Sequence, residues 1–336
     1  MWFSKSKQKQ QHINTNEILL ALNTNGISLT IDELIQYQNK ANLINLAASK
    51  SLHGKMSGNY LARSKGRGME FDEVRHYQIG DDIRAIDWRV TARTGKTHTK
   101  LFREEVERPV LVATDLSHTM HFGSQLLFKS IQASHVAAIV AWHAKTRGDR
   151  LGGIVFNQQA HTELKPRSRQ QGVLHYLHAL VQSHQLNHLQ NNQNLNGSED
   201  NSDFFAENCA RLRQLAKPGS LVYLITDGNN LDSEATRHLA NISRHCELVV
   251  CLVTDPLEHA LPDSPTKVSV AVTDGKTKQQ LTVGDEKSAI DYQLSAQTLE
   301  QNKEQLLTKS GARILKFSAG ISLEQQLKSG ILAWTH

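Results

Sequence analysis

The chain has 336 residues, of which 39% are hydrophobic and 21% charged, and its formal net charge is +5. This composition is typical of a soluble globular protein with one large domain and an appendage, or with two domains. No apolar run approaches the roughly 20 residues that a membrane span needs, and the N-terminus lacks the apolar core of a signal peptide. Three widely spaced cysteines form neither a disulfide framework nor a zinc pattern, so we expect a reducing, cytoplasmic location.

The first 50 residues are predicted to form a helical N-terminal extension. Asn16 to Asn23 is predicted as a short helix. Thr30 and Glu33 have the spacing of a capping box, which predicts a longer helix from Ile31 to Ala48. The apolar stripe of that helix should pack the extension on the main domain.

The excess of positive charge lies in residues 50–100, where 11 basic minus 6 acidic residues give +5. The basic residues at 50–67 suit either a solvated loop or a surface for nucleic acid or an acidic partner. The loop is favoured, because the segment contains no recognised nucleic-acid module. Nucleic-acid binding is kept as an alternative function.

Acidic residues and arginines interleave over residues 69–93. The apolar side chains Ile83, Ile86 and Trp88 are predicted to return to a core. The charges suit either a buried ion-pair network that fixes the segment or a recognition surface. The network is favoured for the acids, whereas Arg89 and Arg93 are candidate partner-binding residues.

From Val110 to His336, short apolar runs alternate with helix-like segments. This order predicts an α/β domain with a doubly wound, mostly parallel sheet, covered by helices on both faces. Ala160 to Leu164 is predicted as a short edge strand. The Asn- and Gln-rich residues 185–203 are predicted to be a mobile insertion. The predicted organisation is therefore an extension at 1–50, a charged segment at 51–109 and the α/β domain at 110–336.

The candidate functional residues follow two apolar strands at their carboxyl ends. Asp115, Ser117 and Thr119 alternate after the first strand of the α/β domain, and Asp227 follows a later strand. Open α/β sheets place their ligands at the carboxyl ends of neighbouring strands. Two carboxylates and two hydroxyls are hard oxygen ligands, which suit Mg²⁺ or Mn²⁺.

Two motifs resemble known families. Asp115-x-Ser117-x-Thr119 resembles the metal-ion-dependent adhesion site of von Willebrand factor A-type domains, which begins Asp-x-Ser-x-Ser after the first strand. The stretch from Gly68 to Arg93 contains Glu-Phe-Asp-Glu-Val-Arg, Gly-Asp-Asp-x-Arg-x-Ile-Asp-Trp and Ala-Arg. It is similar to the hallmark of the bacterial domain of unknown function 58 family, whose members join this hallmark to such a domain. The resemblance implies a von Willebrand factor A-like, Rossmann-type fold with an N-terminal helical and β extension.

The resemblance also implies a function and a set of ligands. A-type domains mostly bind proteins, through a metal that takes a carboxylate of the partner. Proteins similar to this chain accompany MoxR-type AAA+ ATPases, which implies an adaptor role with such a partner. By position, Asp115, Ser117, Thr119 and Asp227 match the metal site, with Thr119 in place of the second serine.

One part of the adhesion site departs from the family pattern. The site normally includes a threonine from the loop before the second helix. In that region only Ser168 offers a hydroxyl, and Arg167 and Arg169 flank it. Two guanidinium groups would compete with a divalent cation. The alternative is a site without metal, in which Asp115 caps the following helix or pairs with an arginine.

A non-enzymatic protein-interaction module is the leading prediction. The chain lacks a Gly-x-Ser-x-Gly elbow and a Walker phosphate loop, so we expect neither nucleophilic catalysis nor nucleotide hydrolysis. The rival is a metal-dependent hydrolase at the same strand ends, with His118 or His121 as the base that activates water.

Overall fold

The computed structural model describes residues 15–43, 69–104, 108–193, 203–264, 266–273 and 278–329. These residues divide into two units. The α/β unit comprises residues 15–43 and the described residues from 109 onward. The hallmark unit comprises residues 69–104 and Arg108. The basic residues at 50–67 lie outside the described ranges, so nucleic-acid binding through them stays a prediction.

Helices and strands alternate along most of the chain. The helices are α1 (Thr15–Ala21), α2 (Ile31–Ile35), α3 (Trp88–Thr94), α4 (Lys129–Thr146), α5 (Arg169–Gln193), α6 (Phe204–Leu215), α7 (Ser233–Ser243), α8 (Pro256–His259), α9 (Glu286–Lys309) and α10 (Leu323–Lys328). The strands are β1 (Met69–His76), β2 (His98–Glu104), β3 (Pro109–Asp115), β4 (Arg150–Phe156), β5 (His161–Arg167), β6 (Leu221–Thr226), β7 (Glu247–Thr254), β8 (Val268–Thr273), β9 (Lys278–Val283) and β10 (Arg313–Ser318). Short 3-10 helices cover Gln36–Leu43, Ile83–Ala85 and His118–Met120.

The α/β unit is built on a six-stranded sheet with the order β10-β7-β6-β3-β4-β5. All neighbours pair in parallel except β4 and β5, which are antiparallel. The predicted doubly wound, mostly parallel sheet is therefore confirmed, and β5 is the edge strand predicted around residues 160–164. The strands β8 and β9 form a separate antiparallel hairpin.

The central strand β3 is covered on both faces because its alternate residues enter two different cores. Val110 and Val112 pack with residues of α4 and α5, whereas Leu111 and Ala113 pack with residues of α6 and α7. A strand buried on both faces has no exposed side on which to place polar groups. The polar residues that follow β3 therefore lie at the carboxyl end of the sheet.

Residues 15–43 pack on α4, as the apolar pattern predicts. The capping box of Thr30 and Glu33 is present. Glu33 also lies 2.5 Å from His135 Nε2 on α4, and both side chains are fully buried. The predicted helix is too long, since α2 ends at Ile35 and the chain continues as a 3-10 helix to Leu43. Residues 44–48 lie outside the described ranges.

Three other element boundaries differ from the sequence prediction. Helix α5 continues to Gln193, so the first half of the predicted mobile insertion is helical. Its glutamines and leucines are good helix formers, and an established helix extends readily through such residues. Helix α9 begins at Glu286 rather than near residue 295, because Asp285 caps it by accepting a hydrogen bond from Ser288 N–H. Helix α10 ends at Lys328, and residues 330–336 lie outside the described ranges.

The hallmark unit contains an antiparallel pair, β1 and β2, and the short helix α3. The predicted return to a core is wrong for Ile83 and Trp88, which are 65% and 67% exposed, whereas Ile86 is half-buried and its backbone bridges to Thr99.

The predicted buried ion-pair network is found only in part. Arg75 pairs with Asp81 at 2.7 Å, and Lys100 pairs with Asp87 at 3.7 Å, but the two basic side chains are partly exposed. Asp82 and Asp87 also accept hydrogen bonds from backbone N–H groups at the starts of the two helical segments. Aspartate readily takes such capping positions in turns.

We predict that Gly153→Ala strongly destabilises the α/β unit. Gly153 has a φ of +154°, and a Cβ there would lie 1.9 Å from the carbonyl oxygen of Val112 on β3. Either a strand must shift or the backbone must stay strained, at a cost of about 2–4 kcal/mol in the free energy of unfolding. Urea denaturation measures the difference.

The matched control for this prediction is Gly148→Ala. Gly148 also has a positive φ of +80°, but its Cβ would meet no atom within 4 Å. The Gly148→Ala variant should lose about 1–2 kcal/mol in the free energy of unfolding, because alanine disfavours a positive φ. Equal losses of stability in the two variants would show that the close approach of β4 to β3 does not add to the destabilisation by Gly153→Ala.

Candidate functional site

The predicted ligands lie at the carboxyl end of the sheet, which we call the carboxyl edge. It is formed by the residues that follow β3, β6 and β7. The parallel register places Thr114 beside Ile225, and Thr226 beside Leu252. The first polar side chains after these strands therefore converge, and Asp115 and Asp227 are both buried there.

Asp115 is held by two hydrogen bonds, one from the backbone and one from a neighbouring strand. Its Oδ1 accepts from Ser117 N–H at 2.9 Å, and its Oδ2 accepts from the Thr226 hydroxyl at 2.8 Å. Burial raises the pKa of Asp115 to about 7, and the negative charge of Asp227 adds to the rise. The hydrogen bonds oppose this rise without cancelling it. The carboxyl group therefore retains its proton far more readily than an exposed aspartate.

Ser117 and Thr119 lie together beside Asp115. Their hydroxyl oxygens are 3.1 Å apart, and Ser117 is fully buried whereas Thr119 is half-buried. The alternate spacing of the motif thus places both hydroxyls on one side of the loop that follows β3. One of the two is open to a molecule that approaches from solvent.

Asp227 is paired with a lysine that the sequence analysis missed. Lys129 Nζ lies 2.9 Å from Asp227 Oδ2, and both side chains are 1% exposed. Burial is the largest single influence and raises the pKa of Asp227, but Lys129, the Asn229 N–H and the charge of Lys303 together outweigh it and lower that pKa. The only signal was a lysine that directly precedes a long apolar helix.

Lys129 also joins the end of β7 to the carboxyl edge. Its Nζ lies 2.5 Å from Glu258 Oε1, and Glu258 completes the capping box at the start of α8 with Asp255. Asp255 is buried and accepts hydrogen bonds from both the backbone N–H and the hydroxyl of Ser124. The loop between β3 and α4 is therefore fixed to the ends of β6 and β7.

A cavity of about 210 Å³ opens beside Asp227 and Glu258. Lys303 of α9 lies at its wall and donates to the carbonyl oxygen of Asp227 at 3.1 Å and to Asn229 Oδ1 at 2.6 Å. A second ammonium group is therefore close to Asp227, although it contacts the backbone and not the carboxylate.

Ser168 is not brought to the carboxyl edge. Because β5 runs antiparallel to β4, His161 pairs with Phe156 while Arg167 pairs with Leu151. Phe156 in turn lies beside Asp115, and Leu151 lies beside Val110. Ser168 follows Arg167 and is therefore at the opposite end of the sheet from Asp115. The flanking arginines share that location, so they do not compete with a cation at Asp115.

The two histidines proposed as bases make other contacts. The backbone N–H of His118 donates to Gln158 Oε1 at 3.1 Å, and its ring Nδ1 contacts the Gln158 amide. His121 Nδ1 lies 3.1 Å from the carbonyl oxygen of Ser117, and its ring stacks on His184 at 5.3 Å. These contacts give no support to a hydrolase, which stays a prediction.

The residues at the carboxyl edge fit a divalent cation only in part. The two hydroxyls and the Asp115 carboxylate are the right kind of ligand for Mg²⁺ or Mn²⁺. Asp227 is already neutralised by Lys129, and an ammonium group at 2.9 Å repels a second cation. The full set of four ligands therefore suits a metal only if Lys129 leaves Asp227.

Arg89 and Arg93 belong to the hallmark unit and lie on α3. Both side chains are exposed. Neither forms an ion pair with another residue in the part of the chain that the structure describes. They follow the exposed Trp88 on a helix that Asp87 caps at its start and that ends at Gly95, which has the left-handed conformation.

Comparison with known proteins identifies the family. The family described as "Protein of unknown function DUF58" matches residues 73–304, which is more than half of the chain. The chain belongs to the DUF58 family. In this DUF58 protein, the α/β unit has a Rossmann-type fold with a doubly wound, mostly parallel sheet.

Two curated relatives of the DUF58 chain come from mycobacteria. The uncharacterized proteins Rv1480 of Mycobacterium tuberculosis H37Rv and Mb1516 of Mycobacterium bovis are each 33% identical to it over 128 residues. The alignment covers 38% of this chain and 40% of each relative. The chain thus spans less than half the length of these relatives.

Two solved structures resemble the DUF58 chain. BatB from Bacteroides thetaiotaomicron aligns with a TM-score of 0.34 and 14% identity, over 61% of this chain and 98% of that one. A von Willebrand factor type A protein from Catenulispora acidiphila aligns with a TM-score of 0.33 and 12% identity, over 69% of this chain and 42% of that one. Because these scores are low, the fold rests on the strand order. Within the described ranges, none of the helices has the length and apolar character of a membrane span.

We predict that Asp115→Asn becomes more stable relative to the wild type as the pH rises. The pKa of Asp115 is raised in the folded state to about 7, against about 3.9 in an unfolded chain. The folded state therefore binds this proton more tightly, and the wild type loses that stability between about pH 4 and pH 7. Asparagine stays neutral: its Oδ1 can still accept from Ser117 N–H, and its Nδ2 can donate to the Thr226 hydroxyl, which reverses the direction of that hydrogen bond. Urea denaturation in EDTA across this range measures the difference.

Asp81→Asn in the hallmark unit is the control of opposite sign. The Gln78 N–H and Arg75 lower the pKa of Asp81. Its carboxylate therefore stabilises the folded state at pH values above the pKa of the unfolded chain. The Asn variant should become less stable relative to the wild type as the pH rises. The interpretation of Asp115 is wrong if Asp115→Asn also becomes less stable relative to the wild type as the pH rises.

Proposed function

We propose that this DUF58 protein is a non-enzymatic protein-interaction module that binds an acidic partner protein through the hallmark unit. The observation that carries the proposal is the exposed Trp88, which lies on α3 beside Arg89 and Arg93. Large apolar side chains at the centre of an exposed patch are typical of docking sites. Tryptophan and arginine are also the residues most enriched among those that dominate binding energy.

The docking patch consists of Ile83, Trp88, Arg89 and Arg93. Its two apolar side chains are about two-thirds exposed, at 65% and 67%. Asp87 fixes the start of α3 through two backbone N–H groups at 3.0 and 3.1 Å. A patch on a capped helix loses little conformational freedom when a partner binds.

The charge of the patch indicates the chemistry of the partner. From Trp88 to Lys100 the chain has four basic residues and no acidic one. Of these four, Lys100 pairs with Asp87 at 3.7 Å. The two arginines of α3 are thus available to carboxylates, and a guanidinium group binds a carboxylate through two parallel hydrogen bonds. An acidic surface with an apolar pocket for an indole ring complements this patch.

The carboxyl edge is proposed as a second docking surface. The loop from Leu116 to Phe128 presents His118, Thr119 and the 39% exposed Phe122 to solvent. Backbone hydrogen bonds hold this loop at both ends, from Leu116 N–H to Phe156 and from Phe128 N–H to Gly26. The loop is therefore pre-organised for contact with a partner. Whether Mg²⁺ or Mn²⁺ takes part at Asp115, Ser117 and Thr119 stays a prediction.

The family resemblance suggests the class of partner. We propose a MoxR-type AAA+ ATPase from the same genome, with this DUF58 protein as its adaptor. The purified ATPase is immobilised, and the affinity of the full-length chain is measured by biolayer interferometry with and without ATP.

We predict that Trp88→Ala weakens binding to the ATPase by about 30-fold or more, as expected for a central anchor. Because Trp88 is mostly exposed, the thermal unfolding of this variant should match that of the wild type. Charge reversal in Arg89→Glu/Arg93→Glu should slow association, and more so at low salt.

Leu20→Ala is the matched control for an exposed apolar side chain. Leu20 is 75% exposed on α1 of the α/β unit, and its loss should leave the affinity unchanged. Wild-type affinity in both hallmark variants would refute docking through this patch. Binding that depends on Phe122 and not on Trp88 would move the docking site to the carboxyl edge.

A further inference from the structure

Lys129 is a buried lysine at the first residue of α4. Its side chain is 1% exposed, and the helix that it begins has 18 residues. The N-terminus of a helix carries partial positive charge, which disfavours a cation there. Burial also removes the water that normally hydrates an ammonium group. This position is therefore stable only with opposing charges close to the ammonium group.

Two carboxylates from different strand ends supply those charges. Asp227, after β6, lies 2.9 Å from Lys129 Nζ, and Glu258, after β7, lies 2.5 Å from it. The other oxygen of Glu258 accepts the backbone N–H of Asp255 at 3.0 Å. At the helix start, the backbone N–H of Lys129 donates to the carbonyl of Phe122 at 2.8 Å. Two carboxylates thus hold the ammonium group, and a backbone hydrogen bond holds the helix residue that carries it.

We propose that the Lys129 ammonium group is the resident cation of the carboxyl edge, at the Asp227 position where the sequence predicts a divalent metal. The charge of the edge is then set by the chain itself and does not depend on the metal concentration. This inference concerns the α/β unit alone and is independent of docking through the hallmark unit.

The contacts of Asp227 support this assignment. Its Oδ2 accepts from Lys129 and, at 2.7 Å, from Asn229 Nδ2, while its Oδ1 accepts from Asn229 N–H at 3.0 Å. Three of the roughly four lone-pair sites of the carboxylate are therefore occupied. A divalent cation would have to bind at about 2.1 Å from an oxygen, and it would meet the positive charge of Lys129.

The test removes the ammonium group and asks whether a metal can replace it. Lys129→Met keeps an unbranched apolar side chain but leaves Asp227 as an uncompensated buried carboxylate. In EDTA we expect its Tm to fall by about 6–15 °C. Excess MnCl₂ should recover most of that loss. By isothermal titration calorimetry, Lys129→Met should bind Mn²⁺ at least about tenfold more tightly than the wild type.

Two further variants separate the role of Lys129 from general effects of the substitution. Lys129→Met/Asp227→Asn removes both charges, so its Tm should lie nearer to that of the wild type and should not respond to Mn²⁺. Lys303→Met removes a lysine whose charge acts on Asp227 more weakly than that of Lys129 and whose hydrogen bonds go to the carbonyl of Asp227 and the Asn229 side chain. Its Mn²⁺ affinity should stay near that of the wild type.

Several results would overturn the proposal. Equal Mn²⁺ affinity in the wild type and Lys129→Met would mean that the ammonium group does not hold the metal position. An unchanged Tm in EDTA would mean that Asp227 needs no cation. If Lys129→Met stays unfolded with Mn²⁺ while the double variant folds, the ion pair is structural only and the proposal fails.

Discussion

The ion pair between Lys129 and Asp227 lies where the central helix of the α/β unit meets the carboxyl ends of three strands. Asp227 follows β6, Glu258 follows β7, and the loop that ends at Lys129 follows β3. One ammonium group therefore joins parts of the chain that are about 130 residues apart, 129 from Lys129 to Glu258. A buried pair of this kind stabilises a fold less through its net energy than through the penalty for any arrangement that separates its members. The geometry of the candidate site follows from this constraint.

The same helix α4 organises the other end of the unit. Its central residues His135 and Trp142 contact Glu33 and the carbonyl of Leu34. The N-terminal residues are thus anchored by polar contacts inside an otherwise apolar interface. Because α4 is buried along most of its length, a shift of the helix would affect the N-terminal anchor and the carboxyl edge together.

The sequence predicted the sheet well because its strands are continuous apolar runs, which burial on both faces requires. It also placed Asp115, Ser117 and Thr119 correctly at a strand end. Lys129 could not be recognised, since its partners Asp227 and Glu258 are distant in the chain and only the strand order brings them near. Ser168 was misplaced because the direction of β5 cannot be read from its residues. Trp88 was assigned to a core on hydrophobicity alone, but it is 67% exposed at the first residue of α3.

The antiparallel edge strand β5 has a further consequence for association between copies of the protein. An edge strand with free N–H and C=O groups can recruit a strand from another molecule, which leads to aggregation. In β5 most side chains are exposed, the strand includes Lys165, Pro166 and Arg167, and Arg150 donates to the carbonyl oxygen of Pro166 at 3.2 Å. Proline has no N–H to offer, and the charged side chains repel a second copy. This edge of the sheet therefore resists extension by a strand from a second copy of the protein.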